Sequence, residues 1–140
     1  MALKKSAVKK CKYEWVLIVD ADERIPKETR HEIMKILSSP DSADAYSFPR
    51  KNFFHNKWIK HSGWWPDRVI RLFKKNKGRI DNSLVHESVE VNGIIKNLNT
   101  PIIHYSYSNK GFNFRVRKDR CLFVTGSGKS SSERKTIVGF

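Results

Sequence analysis

Apolar and polar positions follow three different rhythms along this chain. Leu3, Ala7, Val8 and Cys11 fall at helical spacing with lysines between them, which predicts the last turns of an amphipathic helix. Trp15 to Val19 is an unbroken apolar run rich in β-branched residues, the pattern of a fully buried strand of the kind found in parallel sheets. Helix then strand is half of an α/β unit. Pro26 and Glu28 mark the start of a second predicted helix, the proline in its first turn and the glutamate near the positive end of its dipole. Ile33, Ile36 and Leu37 give this helix a core face with Met34 at the edge, and Ser38-Ser39-Pro40-Asp41 ends it.

Further on, the rhythm shifts towards a period of two. Tyr46 and Phe48 alternate with polar neighbours ahead of Pro49, predicting a short strand within Ala45 to Phe54. Asn56 to Pro66, NKWIKHSGWWP, is aromatic and loop-like, and the apolar strand Val69 to Phe73 follows it. Val85, Glu87, Val89 and Val91 alternate up to Asn92-Gly93, a hairpin signal that makes Ile94 to Leu98 the return strand. Ile102 to Tyr105 is a last short strand. An amphipathic helix is predicted from about Phe112 to Phe123, and Gly, Ser and Lys then dominate a flexible tail. The expected layout is an α/β domain over residues 1–110 and a basic helix and tail over 111–140.

Length and composition narrow the partners. A chain of 140 residues with 39% hydrophobic and 11% aromatic content can build one core, which excludes wholesale disorder. Twenty-eight Lys and Arg against 14 Asp and Glu leave a net charge of +14, spread along the chain, so polyanions are the expected partners: nucleic acid, an anionic membrane or phosphorylated small molecules. Cys11 and Cys121 have no zinc-ligand spacing and read as reduced thiols. No apolar run approaches the ~18 residues that span a bilayer, and the first ten residues lack the apolar core of a secretion signal. The expected location is therefore cytoplasmic, free or peripheral at the inner face of the cell membrane.

The densest chemistry lies in WVLIVDADERI, where a buried strand runs into Asp20, Asp22 and Glu23. A phosphorylation receiver would begin with that strand and place a phosphate-accepting aspartate at a later strand end; here a helix comes first and no such aspartate follows. A dehalogenase-type phosphatase needs Thr or Val where Arg24 stands. An Asp-x-Asp that holds Mg or Mn against a nucleotide diphosphate remains, because hard oxygen ligands suit those cations. Spacing of i, i+2 at a strand end sends both carboxylates towards one face.

Four ordered segments extend this: DADERIP from Asp20, HSGWWPDRVIRLFKK (His61 to Lys75), LVHESV (Leu84 to Val89) and IIHYS (Ile102 to Ser106). Together they resemble glycosyltransferase family 2, in particular bacterial enzymes of the lipopolysaccharide-core type. The matching residues are Trp15, Leu17, Asp20, Ala21, Asp22 and Glu23, then Gly63, Trp64, Pro66, Asp67, Arg71, Leu72 and Phe73, then Val85, His86 and Glu87. The resemblance covers roughly residues 1 to 110. It implies a GT-A-like α/β fold, a mixed sheet with flanking helices, here lacking the N-terminal nucleotide-binding strands and so the C-terminal portion of such a domain. The flanks of the Trp15 to Val19 strand would then be exposed, to be covered by a partner chain or a second copy, and the chain alone would have weak or no activity.

The resemblance also implies roles. Asp22 is the metal ligand for Mg or Mn, Asp20 shares the metal or orients the ribose, and His104 completes the metal shell or is structural. Glu23 supports the segment, capping the next helix or touching donor hydroxyls. Glu87 is the carboxylate base that takes the acceptor's proton, with Asp67 as the alternative and His86 orienting the base. Arg71 pairs with the diphosphate or with an internal carboxylate. Trp64 and Trp65 offer flat faces to a sugar or pack in the core. The implied reaction is metal-dependent, inverting transfer of a hexose from a nucleotide-sugar donor to a saccharide or lipid-linked acceptor of the cell envelope, the lysine-rich stretch after Asn109 making peripheral membrane contact. The competing reading is a non-catalytic basic module for nucleic acid or anionic membrane, with FPRKNFFHNKWIK supplying stacking and phosphate contacts; nucleic acid is the less favoured partner.

Overall fold

The computed structural model describes residues 8–9, 11, 13–20, 22–81, 88–107, 121–124 and 137–138. In chain order its elements are β1 (Trp15–Ile18), β2 (Glu23–Arg24), α1 (Lys27–Ser38), β3 (Ala45–Phe54), β4 (Lys57–Trp58), β5 (Asp67–Lys74), β6 (Gly78–Asp81), β7 (Ser88–Val91), β8 (Ile95–Asn97), β9 (Ile102–Tyr107), β10 (Cys121–Val124) and β11 (Ile137–Val138). Nine of the described strands form one mixed sheet in the order β11-β10-β1-β5-β3-β9-β2, with β4 and β8 also paired to β3, while β6 and β7 form a separate hairpin. A mixed sheet with few helices is compatible with an α/β transferase-like fold.

Strand alternation sorts the apolar residues into two cores. Trp15, Leu17, Tyr46, Phe48, Leu72 and Ile102 pack on one side with Ile33 and Leu37 of α1. Val16, Ile18, Ala45 and Phe73 pack on the other with Val8, Cys11 and Ile80, flanked by Val89 and Val91. The helix thus covers one face and the β6–β7 hairpin the other, and each fully buried side chain such as Phe48 or Leu17 contributes roughly 1.5–3 kcal/mol. Pro26 is the N-cap of α1, one residue ahead of the expected first turn, and Thr29, Ile33 and Leu37 are the residues it buries. No helix among the described residues is long and apolar enough to cross a membrane.

Several expectations are corrected. The burial of β1 comes from layers on both faces and not from parallel pairing: its neighbours β5 and β10 are both antiparallel to it. The pairing with β10 also closes the flank of β1 that was expected to stay open for a partner chain or second copy. Residues 121–123 are strand and not the end of a helix; residues 112–120 of that predicted helix lie outside the described residues. Asn92-Gly93 does not fold β8 back on β7. β7 pairs with β6, and β8 runs parallel to β3. Gly93 serves a close approach, since a Cβ there would overlap the Asp44 carboxylate, to which the Ile94 N–H donates at 2.9 Å. Pro49 does not end β3 either. The missing N–H faces a gap between two parallel partners, for pairing with β8 stops at Ser47 and pairing with β9 starts at Arg50.

Candidate functional site

The sheet order brings the acidic segment after β1 against β3, β5 and β9. Register fixes the neighbours: Asp67 lies opposite Arg50, Asn52 opposite His104, and His104 opposite Glu23. Arg50 and Asn52, two apart on β3, share a face. Arg71 is placed by a bulge. Tyr46 pairs with Leu72 and Ser47 with Ile70, so Arg71 is the unopposed extra residue on β5, the kind of irregularity that re-aims a side chain.

The resulting side chains form one continuous network. Arg71 Nη2 donates to Asp20 Oδ2 at 2.8 Å and to Glu23 Oε1 at 2.6 Å. Glu23 Oε2 accepts from the Asp20 backbone N–H at 3.0 Å, and Arg50 Nη1 lies 3.7 Å from Glu23 Oε1. Arg50 also grips Asp67 Oδ2 through Nε at 2.7 Å and Nη2 at 2.6 Å. The same Asp67 oxygen accepts from Asn52 Nδ2 at 3.0 Å. Asn52 Oδ1 meets His104 Nδ1 at 2.6 Å, and His104 Nε2 meets Asp22 Oδ2 at 3.0 Å.

The electrostatics grade from a sealed end to an open one. The Glu23 side chain is fully buried and that of Arg71 is 10% exposed, whereas 49% of the Asp22 side chain meets solvent. Burial alone would push the Arg71 guanidinium down, but the Glu23 and Asp20 carboxylates together raise it above its ordinary value. The hydrogen bond from His104 holds the Asp22 carboxyl below the usual carboxylate range. Among the described residues of this network, four carboxylates (Asp20, Asp22, Glu23, Asp67) face two guanidiniums (Arg50, Arg71), 4 − 2 = 2 negative charges before His104 is counted. On a chain of net charge +14, this is a local inversion that attracts a cation.

The predicted residues divide accordingly. Asp22 and His104 come together. Asp20 turns away to Arg71, because the strand ends at Ile18 and its alternation no longer governs positions 20 and 22. Arg71 holds internal carboxylates, and Glu23 pairs with it instead of capping α1. Asp67, the alternative base, is an ion-pair partner of Arg50. Glu87 and His86 lie outside the described residues.

Trp64 is 40% exposed, and Trp65 packs edge-on against Trp58 with centroids 5.1 Å apart. Lys51 and Lys60 ammonium groups sit over the Trp58 ring at 4.4 and 4.5 Å. The sequence reading missed Asn52, which is 4% exposed. Besides His104 and Asp67, it reaches the aromatic loop, with its side chain 3.4 Å from the Trp64 carbonyl and its own carbonyl accepting from the Ile59 N–H. Asn52 stands two positions after Arg50 on the same strand, and that spacing was the available signal.

No protein-family model matches the chain, and no solved structure matches it significantly. It is similar to the lipopolysaccharide core biosynthesis glycosyltransferase LpsC of Rhizobium meliloti (strain 1021), with 28% identity over 109 residues, 73% of this chain and 38% of that protein. The chain therefore spans well under half of that relative's length. With the acidic segment, the bulged arginine and the β9 histidine in one network, this similarity supports a glycosyltransferase relationship.

Proposed function

We propose that the chain carries the cation-binding part of a GT-A-type, family 2 glycosyltransferase, which transfers a hexose with inversion from a nucleotide sugar to a saccharide or lipid-linked acceptor of the cell envelope. The observation that carries this is the Asp22–His104 pair, a carboxylate and an imidazole nitrogen 3.0 Å apart at the solvent end of an acidic network.

A divalent Mg or Mn ion fits these two groups in chemistry, since a carboxylate oxygen and an imidazole are both ligands that Mn accepts. Asp20 gives its Oδ2 to Arg71, which leaves Asp22 as the first-choice ligand. No group of three or more His, Cys, Asp or Glu among the described residues is arranged to hold a metal, so the diphosphate and water have to complete the shell. Bound there, the cation would neutralise the charge that develops on the departing nucleotide diphosphate.

The chain's own residues do the rest. Arg71 neutralises Asp20 and Glu23, so that the segment bearing Asp22 stays fixed to the sheet. The Asn52 bond to the Trp64 carbonyl keeps the aromatic loop beside the site, where Trp64 offers a flat face to a sugar ring. Glu87 is the base assigned to the acceptor hydroxyl. The competing binding-module reading would draw on the surface where Lys51 and Lys60 sit over the Trp58 ring. Calorimetry with MnCl2 and UDP or GDP tests the proposal: metal-dependent binding that Asp22→Ala abolishes is expected. Tight, salt-sensitive RNA binding without metal dependence would overturn it.

A further inference from the structure

Asn52 is buried, matches none of the four segments, and touches both Asp67 and His104. Its amide has a definite orientation. Asp67 Oδ2 and the Trp64 carbonyl can only accept, so the group that faces both of them must be the Asn52 NH2. Arg50 fixes Asp67 in turn through two short contacts. The Asn52 Oδ1 is thereby turned to His104 Nδ1, at 2.6 Å, and an acceptor at that distance requires the imidazole proton on Nδ1. Ser106 Oγ, 3.4 Å from the same nitrogen, can adapt because a hydroxyl both donates and accepts.

With its one proton there, a neutral ring bears its lone pair on Nε2, which faces Asp22 Oδ2 at 3.0 Å; a second proton on Nε2, or a metal cation in its place, satisfies both groups. We propose that Asn52, oriented by the Arg50–Asp67 ion pair, locks His104 in the Nδ1–H tautomer and so presents Nε2 to the cation at Asp22. Asn52 and Asp67 are positioning residues here, and Asp67 serves the site through Asn52 instead of as a base. The inference rests on the cation-site reading of Asp22 and His104, but the tautomer belongs to the metal-free chain and is read separately.

The test uses the full 15N-labelled chain without metal, with His104 assigned by the loss of its signals in His104→Gln. Two-bond proton–nitrogen spectra, recorded above the pH at which the imidazole loses its charge, are expected to show the proton on Nδ1. In Asn52→Leu the Nε2–H form that free histidine favours in water should take over, and Mn affinity should fall about 10- to 100-fold, as when an outer hydrogen-bond partner of a metal ligand is lost. Should that variant fail to fold, Asp67→Asn provides the second reading: an amide at 67 can donate as well as accept, so the Asn52 orientation is freed and the two tautomers mix. A wild-type ring with its proton on Nε2, a ring doubly protonated throughout, or a tautomer unchanged in the folded variants overturns the lock. An Nδ1–H ring together with no Mn binding, even with nucleotide diphosphate, supports the lock and removes the proposed function instead.

Discussion

Replacing Arg71 with methionine isolates the sealed end of the network. The substitution keeps an unbranched chain in the bulge and removes both Nη2 hydrogen bonds, to Glu23 and to Asp20. Glu23 would then be a fully buried carboxylate with only the Asp20 N–H at 3.0 Å and Arg50 at 3.7 Å for compensation. Breaking a buried pair by removing one partner costs about 3–5 kcal/mol, and the remaining Arg50 contact argues for the lower end, about 3 kcal/mol. Against a typical domain stability of ~5–15 kcal/mol, that is a large share.

Urea denaturation at pH 8, followed by tryptophan fluorescence to which the buried Trp15 contributes, measures the loss. The Glu23→Leu/Arg71→Met double variant should lose less than Arg71→Met alone, because no unpaired charge is left. An Arg71→Met protein within about 1 kcal/mol of wild type, or single losses that simply add in the double variant, would refute the reasoning.

Two more predictions concern the turn before β8. Gly93→Ala places a Cβ against the Asp44 carboxylate and 2.8 Å from the Asp44 Cβ, so stability should fall by about 1–3 kcal/mol, with faster hydrogen exchange at the amides of Ala45 and Ile94; unchanged exchange would show that the turn tolerates a side chain. The Asp44 carboxyl is held below its ordinary range by the Ile94 N–H first and by Lys74 besides. Its contribution is present above the unfolded value and lost as pH falls below about 4. Asp44→Asn should accordingly be less stable than wild type at pH 7 and converge with it as pH falls through the lowered value; parallel pH profiles would count against the assignment.

How much of this was legible in the sequence depended on whether a local pattern or a distant neighbour set the outcome. The strand at Trp15 and the core face Ile33, Leu37 of α1 followed from periodicity, because burial is read from the pattern itself. Strand direction did not, since an unbroken apolar run reports two covered faces and both antiparallel and parallel pairing allow that. Asn92-Gly93 looked like a hairpin because glycine usually marks a backbone need, whereas here the need is room for Asp44. Asp22 and His104 were nominated by motif and do meet. Arg71 was left open between diphosphate and internal carboxylate, and only the bulge between Tyr46 and Ser47 turns it to the Asp20 and Glu23 carboxylates. Asn52 was invisible because its partners lie 15 and 52 residues away.

Pro49 has a wider effect than its own missing donor. Across the gap it faces, β3 advances by two residues, Phe48 and Pro49, while the opposite chain spends four, Leu98 to Pro101, before pairing resumes. β8 and β9 are thus one parallel strand with a detour, and the detour is a handle. Thr29 of α1 donates to the Pro101 carbonyl at 2.6 Å, and Thr100 bonds Glu32. The helix that follows the acidic segment is thereby fastened three residues ahead of His104. The spacing between Asp22 and His104 is then held from two sides, by pairing of β2 with β9 and by a helix hooked to the sheet where one amide hydrogen is absent.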